Sequence, residues 1–230
     1  MKRSEIAKLE TPESTETWKP VPHIELLETM TRVLRKEGIW VEQEQFGIGR
    51  KGLLMFWVSK LKFTTGSPFG NDGTATLGIR QALNKTMSIQ ICAGFTVFVC
   101  DNLVFRGDMI ALRRKHTSGL DLEAEITEAV GKLRDHFGIL NDEMQTLKKT
   151  SISDEKAKAV MFDIFSKGIM PKKFMEEVRN NFENPIHPEF QARSMWSLHN
   201  AFTKSAKKMP ITTRFRATQE IGKYFGLTTR

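Results

Sequence analysis

The chain has 230 residues, 40% hydrophobic and 27% charged, with a formal net charge of +8. That apolar content excludes a wholly disordered chain, which would lack the surface needed to offset ordering entropy, and the length suits one core with or without a helical appendage. The longest nearly unbroken apolar run, ICAGFTVFVC at 91–100, is about half the roughly 20 residues of a spanning helix, so no membrane partner is expected.

Residues 1–20 are rich in Thr, Glu, Ser and Pro and show no period, so they are expected to form a mobile arm, with Trp18 able to anchor its end. They contain no apolar signal core, which points to a cytoplasmic protein. From His23, HIELLETMTRVLRKEG sets Ile24, Leu27, Met30 or Thr31, and Leu34 on one face before Gly38, an amphipathic helix with a glycine stop. IWVEQEQF, GIGRKG and LLMFWVSKLKF then read as an outer strand, a Gly-rich hairpin and a more central strand. The loop TTGSPFGNDG leads to TATLGIRQAL and TMSIQICAGFTVFVC, which makes a mainly antiparallel sheet of four or five strands. At its end Cys100, Asp101 and Asn102 read as a turn whose short side chains bond nearby amides.

The period changes at Ser118. Leu122, Ile126, Val130, Leu133, Phe137, Leu140, Met144 and Leu147 form a stripe at spacings of three and four along one long helix. It should lie across a sheet face, though residues 122–147 are also long enough to pair two copies into a homo-oligomer; Gly131 and Gly138 argue against an isolated coiled coil. Shorter helices are expected at 153–166, 171–183, 191–207 and 213–225, with Ser153 and Thr213 as caps and Gly168 as a stop. The fold class is therefore α+β: an arm at 1–20, a sheet domain at 21–150 packed by an N-terminal and a long helix, and a helical region at 151–230 packed on it.

No catalytic, cofactor or metal signature emerges. GSPFGNDGTAT lacks the Gly-Lys-Ser/Thr of a phosphate loop, and histidines 23, 116, 136, 187 and 199 lack metal-ligand spacing. Asp101 beside Cys100 would favour the neutral thiol, which argues against a nucleophile. Cys92 and Cys100, eight residues apart, would stand roughly 26 Å apart on one straight strand and could approach only on neighbouring strands.

Charge is the stronger signal. From Lys204 onward seven lysines and arginines face Glu220 alone, so +6 of the net +8 lies there. Lys204, Lys207, Lys208, Arg214 and Arg216, with Arg113, Arg114 and Lys115 before the long helix, are the candidate contacts to a polyanion, provided the two segments share a surface.

Three stretches, ATLGIRQALNKTMSIQICAGFTVFVCDNLVFRGD, RRKHTSG and SMWSLHNAFTKSAKK, resemble a phage and plasmid protein family described only as a domain of unknown function. Arg80, Cys100, Asp101, Asn102, His116, Trp196, Asn200 and Thr203 carry the resemblance. An Arg-Asn-Ser-His-Asp-Lys-like segment of the family is matched by Arg80, Gln81, Ala82, Leu83, Asn84 and Lys85, without its His and Asp, which weakens an enzymatic reading. The order helix, antiparallel strands, long helix also resembles the core of single-strand annealing recombinases. The expectation is a non-enzymatic nucleic-acid-binding accessory protein of a mobile element, acting on single strands or in annealing. The alternatives are a protein-interaction module acting on a host factor, and an enzyme with a pocket near Arg80, Asp101 and His116.

Overall fold

The computed structural model describes residues 1–97 and 103–227, with side chains throughout except at 97, 103–111, 211 and 212. The turn expected at Cys100, Asp101 and Asn102 lies outside the described residues. The chain runs α1 (Arg3–Ile6), α2 (His23–Lys36), β1 (Ile39–Gly49), β2 (Leu54–Phe63), β3 (Gly73–Ala82), β4 (Ile89–Val97), β5 (Leu103–Arg114), α3 (Leu122–Lys149), α4 (Asp154–Ser166), α5 (Met175–Glu183), α6 (Met195–Ala206) and α7 (Ile211–Tyr224). The strands form an antiparallel meander in the order β1-β2-β3-β4-β5, and the protein is α+β with a helical C-terminal region.

Side-chain alternation gives the sheet two faces of different character. Met55, Trp57 and Leu61 of β2, Ala75, Leu77 and Ile79 of β3, and Ile89, Ile91, Ala93 and Phe95 of β4 point into the main core. The α3 stripe from Leu122 to Leu147 is buried against them together with residues of α2. Asp121 caps α3 by accepting from the Ala124 N–H at 3.0 Å. The apolar stripe of α3 is thus packed within the chain's own core. Phe95 carries the core onward, stacking on Trp196 of α6 with ring centroids 5.7 Å apart.

The opposite face starts from Phe56, Val58 and Cys92, and here α7 lies against the sheet through Phe215. Phe215 meets Phe56 edge-on at 5.7 Å. Since α7 touches both β1 and β5, the outermost strands, it crosses the strands instead of running along them. Pro210 precedes its first turn, its carbonyl accepting from the Arg214 N–H at 2.8 Å, so the helix begins before Thr213 and that residue is not its cap.

The first twenty residues differ from the expected mobile arm. Ile6 is 1% exposed, and the Arg3 guanidinium grips both oxygens of Glu44 at 2.9–3.0 Å while lying 5.5 Å from the Trp57 ring centre. Lys19 donates to the His116 carbonyl at 3.3 Å, and Val21 donates to the His116 ring at 3.1 Å. Spaced single contacts of this kind leave no periodic sequence pattern, yet together they hold the segment on the domain. The loop between β2 and β3 is docked as well: Phe69 stacks on Phe95 at 4.9 Å, and Asp72 accepts from Gln145 and Lys148 of α3.

Candidate nucleic-acid interface

Strand register sets the first part of the site. Phe56 lies opposite Arg80, Arg80 opposite Gln90, and Gln90 opposite Arg113, so one row crosses β2, β3, β4 and β5 on the face that α7 covers. Strands about 4.8 Å apart place Arg80 and Arg113 roughly 10 Å apart along that row. Arg80 Nε donates to Gln90 Oε1 at 2.5 Å, and its guanidinium lies 5.6 Å from the centre of the Phe215 ring. Burial lowers the Arg80 pKa from its ordinary value, and the like charges of Arg113 and Arg216 add to this against the opposing charge of Glu220. Arg113 and Arg216 therefore act on one point although 102 residues separate them in sequence. Both are exposed, and among the described residues neither has a carboxylate at ion-pair distance.

Arg214 leaves α7 on the other flank. It donates to Gln45 Oε1 at 3.3 Å and borders a cleft of about 170 Å³ with Lys60, Thr76 and Thr96, whose two threonine hydroxyls are 3.3 Å apart. Its Nε is buried without an acceptor among the described residues, and burial lowers its pKa. The helix thus separates two groups of cationic side chains, one holding Arg214 and Lys60 with Glu44 beside them, the other Arg80, Arg113 and Arg216 with Glu220 near Arg80. Beneath it, burial pushes the Cys92 thiol up to about 12, so Cys92 is a neutral, packed side chain at neutral pH.

The remaining expected residues separate. Arg114 pairs with Glu125 of α3 at 2.6 Å, and Lys208 with Glu177 of α5 at 2.9 Å. Lys204 borders a small recess beside Asn181 and His187, and Lys207 is half-buried with an interaction of its own. Trp196, Asn200 and Thr203 are buried in α6, where Asn200 donates to the Trp196 carbonyl at 2.9 Å and Thr203 to that of His199 at 3.3 Å; these are packing roles. Gln81, next to Arg80 in β3 and therefore on the other face, joins His23 at 2.7 Å and reaches the Val21 carbonyl at 3.4 Å, close to His116. Arg80 and His116 thus lie on opposite sides of the sheet, and Asp101 is outside the described residues. Among the described residues no cluster of His, Cys, Asp and Glu side chains could hold a metal ion.

Residues 13–224 match the family model described as a domain of unknown function, DUF932. The chain belongs to that family. No curated protein and no solved structure matches this DUF932 chain. The DUF932 domain includes both cationic groups of this face, since Arg80, Arg113, Arg214 and Arg216 all fall within the matched residues. Lys60 and Gln90 of this face escaped the sequence reading. Strand alternation held the signal: with Leu77 and Ile79 turned to the main core, Thr76, Gly78 and Arg80 mark the more polar opposite face of β3.

Proposed function

We propose that this protein holds a nucleic acid against the sheet face crossed by α7, binding phosphates without chemistry. One observation carries the reading: Arg113 of β5 and Arg216 of α7 both stand close enough to Arg80 to lower its pKa, and both face solvent without ion-pair partners among the described residues. Unpaired guanidiniums on a polar surface suit phosphate oxygens, which they engage by paired hydrogen bonds, and counterion release would drive the association. The resemblance of ATLGIRQALNKTMSIQIC and SMWSLHNAFTKSAKK to phage and plasmid proteins supports a place on a mobile element, as an accessory to replication, recombination or conflict with the host. No helix of the described residues is long and apolar enough to cross a membrane, and a cytoplasmic location fits a nucleic-acid partner.

The test is fluorescence anisotropy with a labelled oligonucleotide at increasing salt. Wild-type affinity should fall linearly on a log–log plot. Arg113→Glu with Arg216→Glu should weaken binding at least about tenfold, and loss of two single-strand phosphate contacts should reduce the salt slope by about 1.4. Absence of binding at low salt, or an unchanged slope in a folded double variant, would refute the proposal.

A further inference from the structure

A second cleft, of about 480 Å³, opens where the N-terminal segment passes the β3–β4 turn. That volume lies within the range of small-molecule sites. Trp18 is half-buried on one side, with the Lys85 ammonium 4.8 Å from its ring centre. Lys115 and His116 border the other side, and Thr86 and Ser88 supply hydroxyls.

His116 supplies an independent observation. It is 3% exposed, and its Nδ1 accepts the Val21 N–H at 3.1 Å, so a neutral ring carries its proton on Nε2. That Nε2 has no partner among the described residues. Burial, followed by the charge of His23, lowers the His116 pKa to about 4, so at neutral pH the ring holds a buried N–H donor without an acceptor among the described residues, in a residue that borders the cleft. Such a donor carries a desolvation cost that an arriving acceptor would relieve.

The cleft also connects with the cationic row. Ser88 accepts from Gln90 Nε2 at 3.4 Å, and the other end of Gln90 accepts from Arg80. Because Arg80 and His116 lie on opposite sides of the sheet, a strand along Arg216, Arg80 and Arg113 reaches the cleft by rounding the sheet end at the β3–β4 turn, past Ser88.

We propose that this cleft seats one nucleobase of a single strand, flat against the Trp18 indole, with a base carbonyl or ring nitrogen accepting from His116 Nε2 and the flanking phosphates meeting Lys85 and Lys115. The inference rests on the proposed phosphate-binding face and adds that the ligand is single-stranded, because a base within a duplex is stacked and unavailable. Each base seated on an aromatic ring in this way strengthens binding about tenfold or more.

The experiment compares a labelled single-stranded oligothymidylate with an abasic strand of the same length and charge, using the full chain. Wild type should bind the thymidylate about tenfold more tightly. Trp18→Leu should bring that ratio close to one while leaving abasic-strand affinity unchanged, and Trp18→Phe should keep part of it, with circular dichroism verifying both folds. Equal wild-type affinity for both strands, with salt-dependent binding intact, would overturn the base seat and spare the cationic face. A tenfold ratio that survives Trp18→Leu would place the base elsewhere and also overturn it. Failure to bind either strand would remove both proposals.

Discussion

His199 sits in α6 with no exposure, 5.6 Å from the Trp196 ring and edge-on to Phe225 at 5.2 Å, and neither ring nitrogen has a partner among the described residues. Burial alone lowers its pKa from 6.5 to about 3. The unfolded ring therefore takes up a proton near pH 6.5 while the folded ring stays neutral down to about 3. The stability tied to neutral His199 is fully present above pH 6.5 and drains away as the pH falls toward 3. At pH 4.5, two units below the unfolded value, the loss is on the order of 3 kcal/mol, a large part of a domain stability of roughly 5–15 kcal/mol. His199→Phe removes the titrating group and keeps an aromatic ring between Trp196 and Phe225. Urea unfolding of both proteins by circular dichroism at pH 7.5 and 4.5 isolates the effect, because His23, His116 and the carboxylates are common to both. The stability difference should move by on the order of 3 kcal/mol in favour of the variant at the lower pH. An equal difference at both pH values would refute the reasoning and mean that His199 titrates alike in the folded and unfolded states.

Other substitutions probe the fold directly. A Cβ at Gly73 would come within 2.5 Å of the Thr96 carbonyl oxygen in the β3–β4 ladder, so Gly73→Ala should cost about 1–3 kcal/mol and lower the Tm; an unchanged Tm would show that the strands separate easily. Gly131 and Gly138 are exposed inside α3 with open space at the Cβ position, and alanine at both should stabilise by about 1–2 kcal/mol in chemical denaturation; a loss would refute this. Asp121→Ala removes the cap bond to Ala124 and should cost about 1 kcal/mol, measured the same way, with restoration by Asp121→Asn.

Much of the fold was legible because its elements announce themselves through period. The α3 stripe, the glycine stops at Gly38 (φ +70°) and Gly168 (φ +66°), and the cap at Ser153 all lie where spacing and residue type place them. The docking of residues 1–20 was not legible, since Arg3, Ile6, Trp18 and Val21 hold it through isolated contacts to distant strands. Part of the cationic face was visible as two basic segments. Which of their residues converge depends on register and on helix phase: β5 turns Arg113 toward α7 and Arg114 toward α3, and α7 sends Arg214 and Arg216 to opposite flanks. The cleft beside Trp18 was hidden because Trp18, Lys85 and His116 meet only in three dimensions.

The meander order joins each strand to its neighbour in sequence, so the sheet can zip together from short-range pairings. Its two long-range seams are laid by opposite ends of the polypeptide: residues 1–21 along one and α7 across the other. Both proposed contact regions lie on those seams. A conformer with its sheet complete but α7 detached would lose Arg214 and Arg216 from that surface, and one with residues 1–21 detached would lose Trp18, while each kept nearly all of its secondary structure.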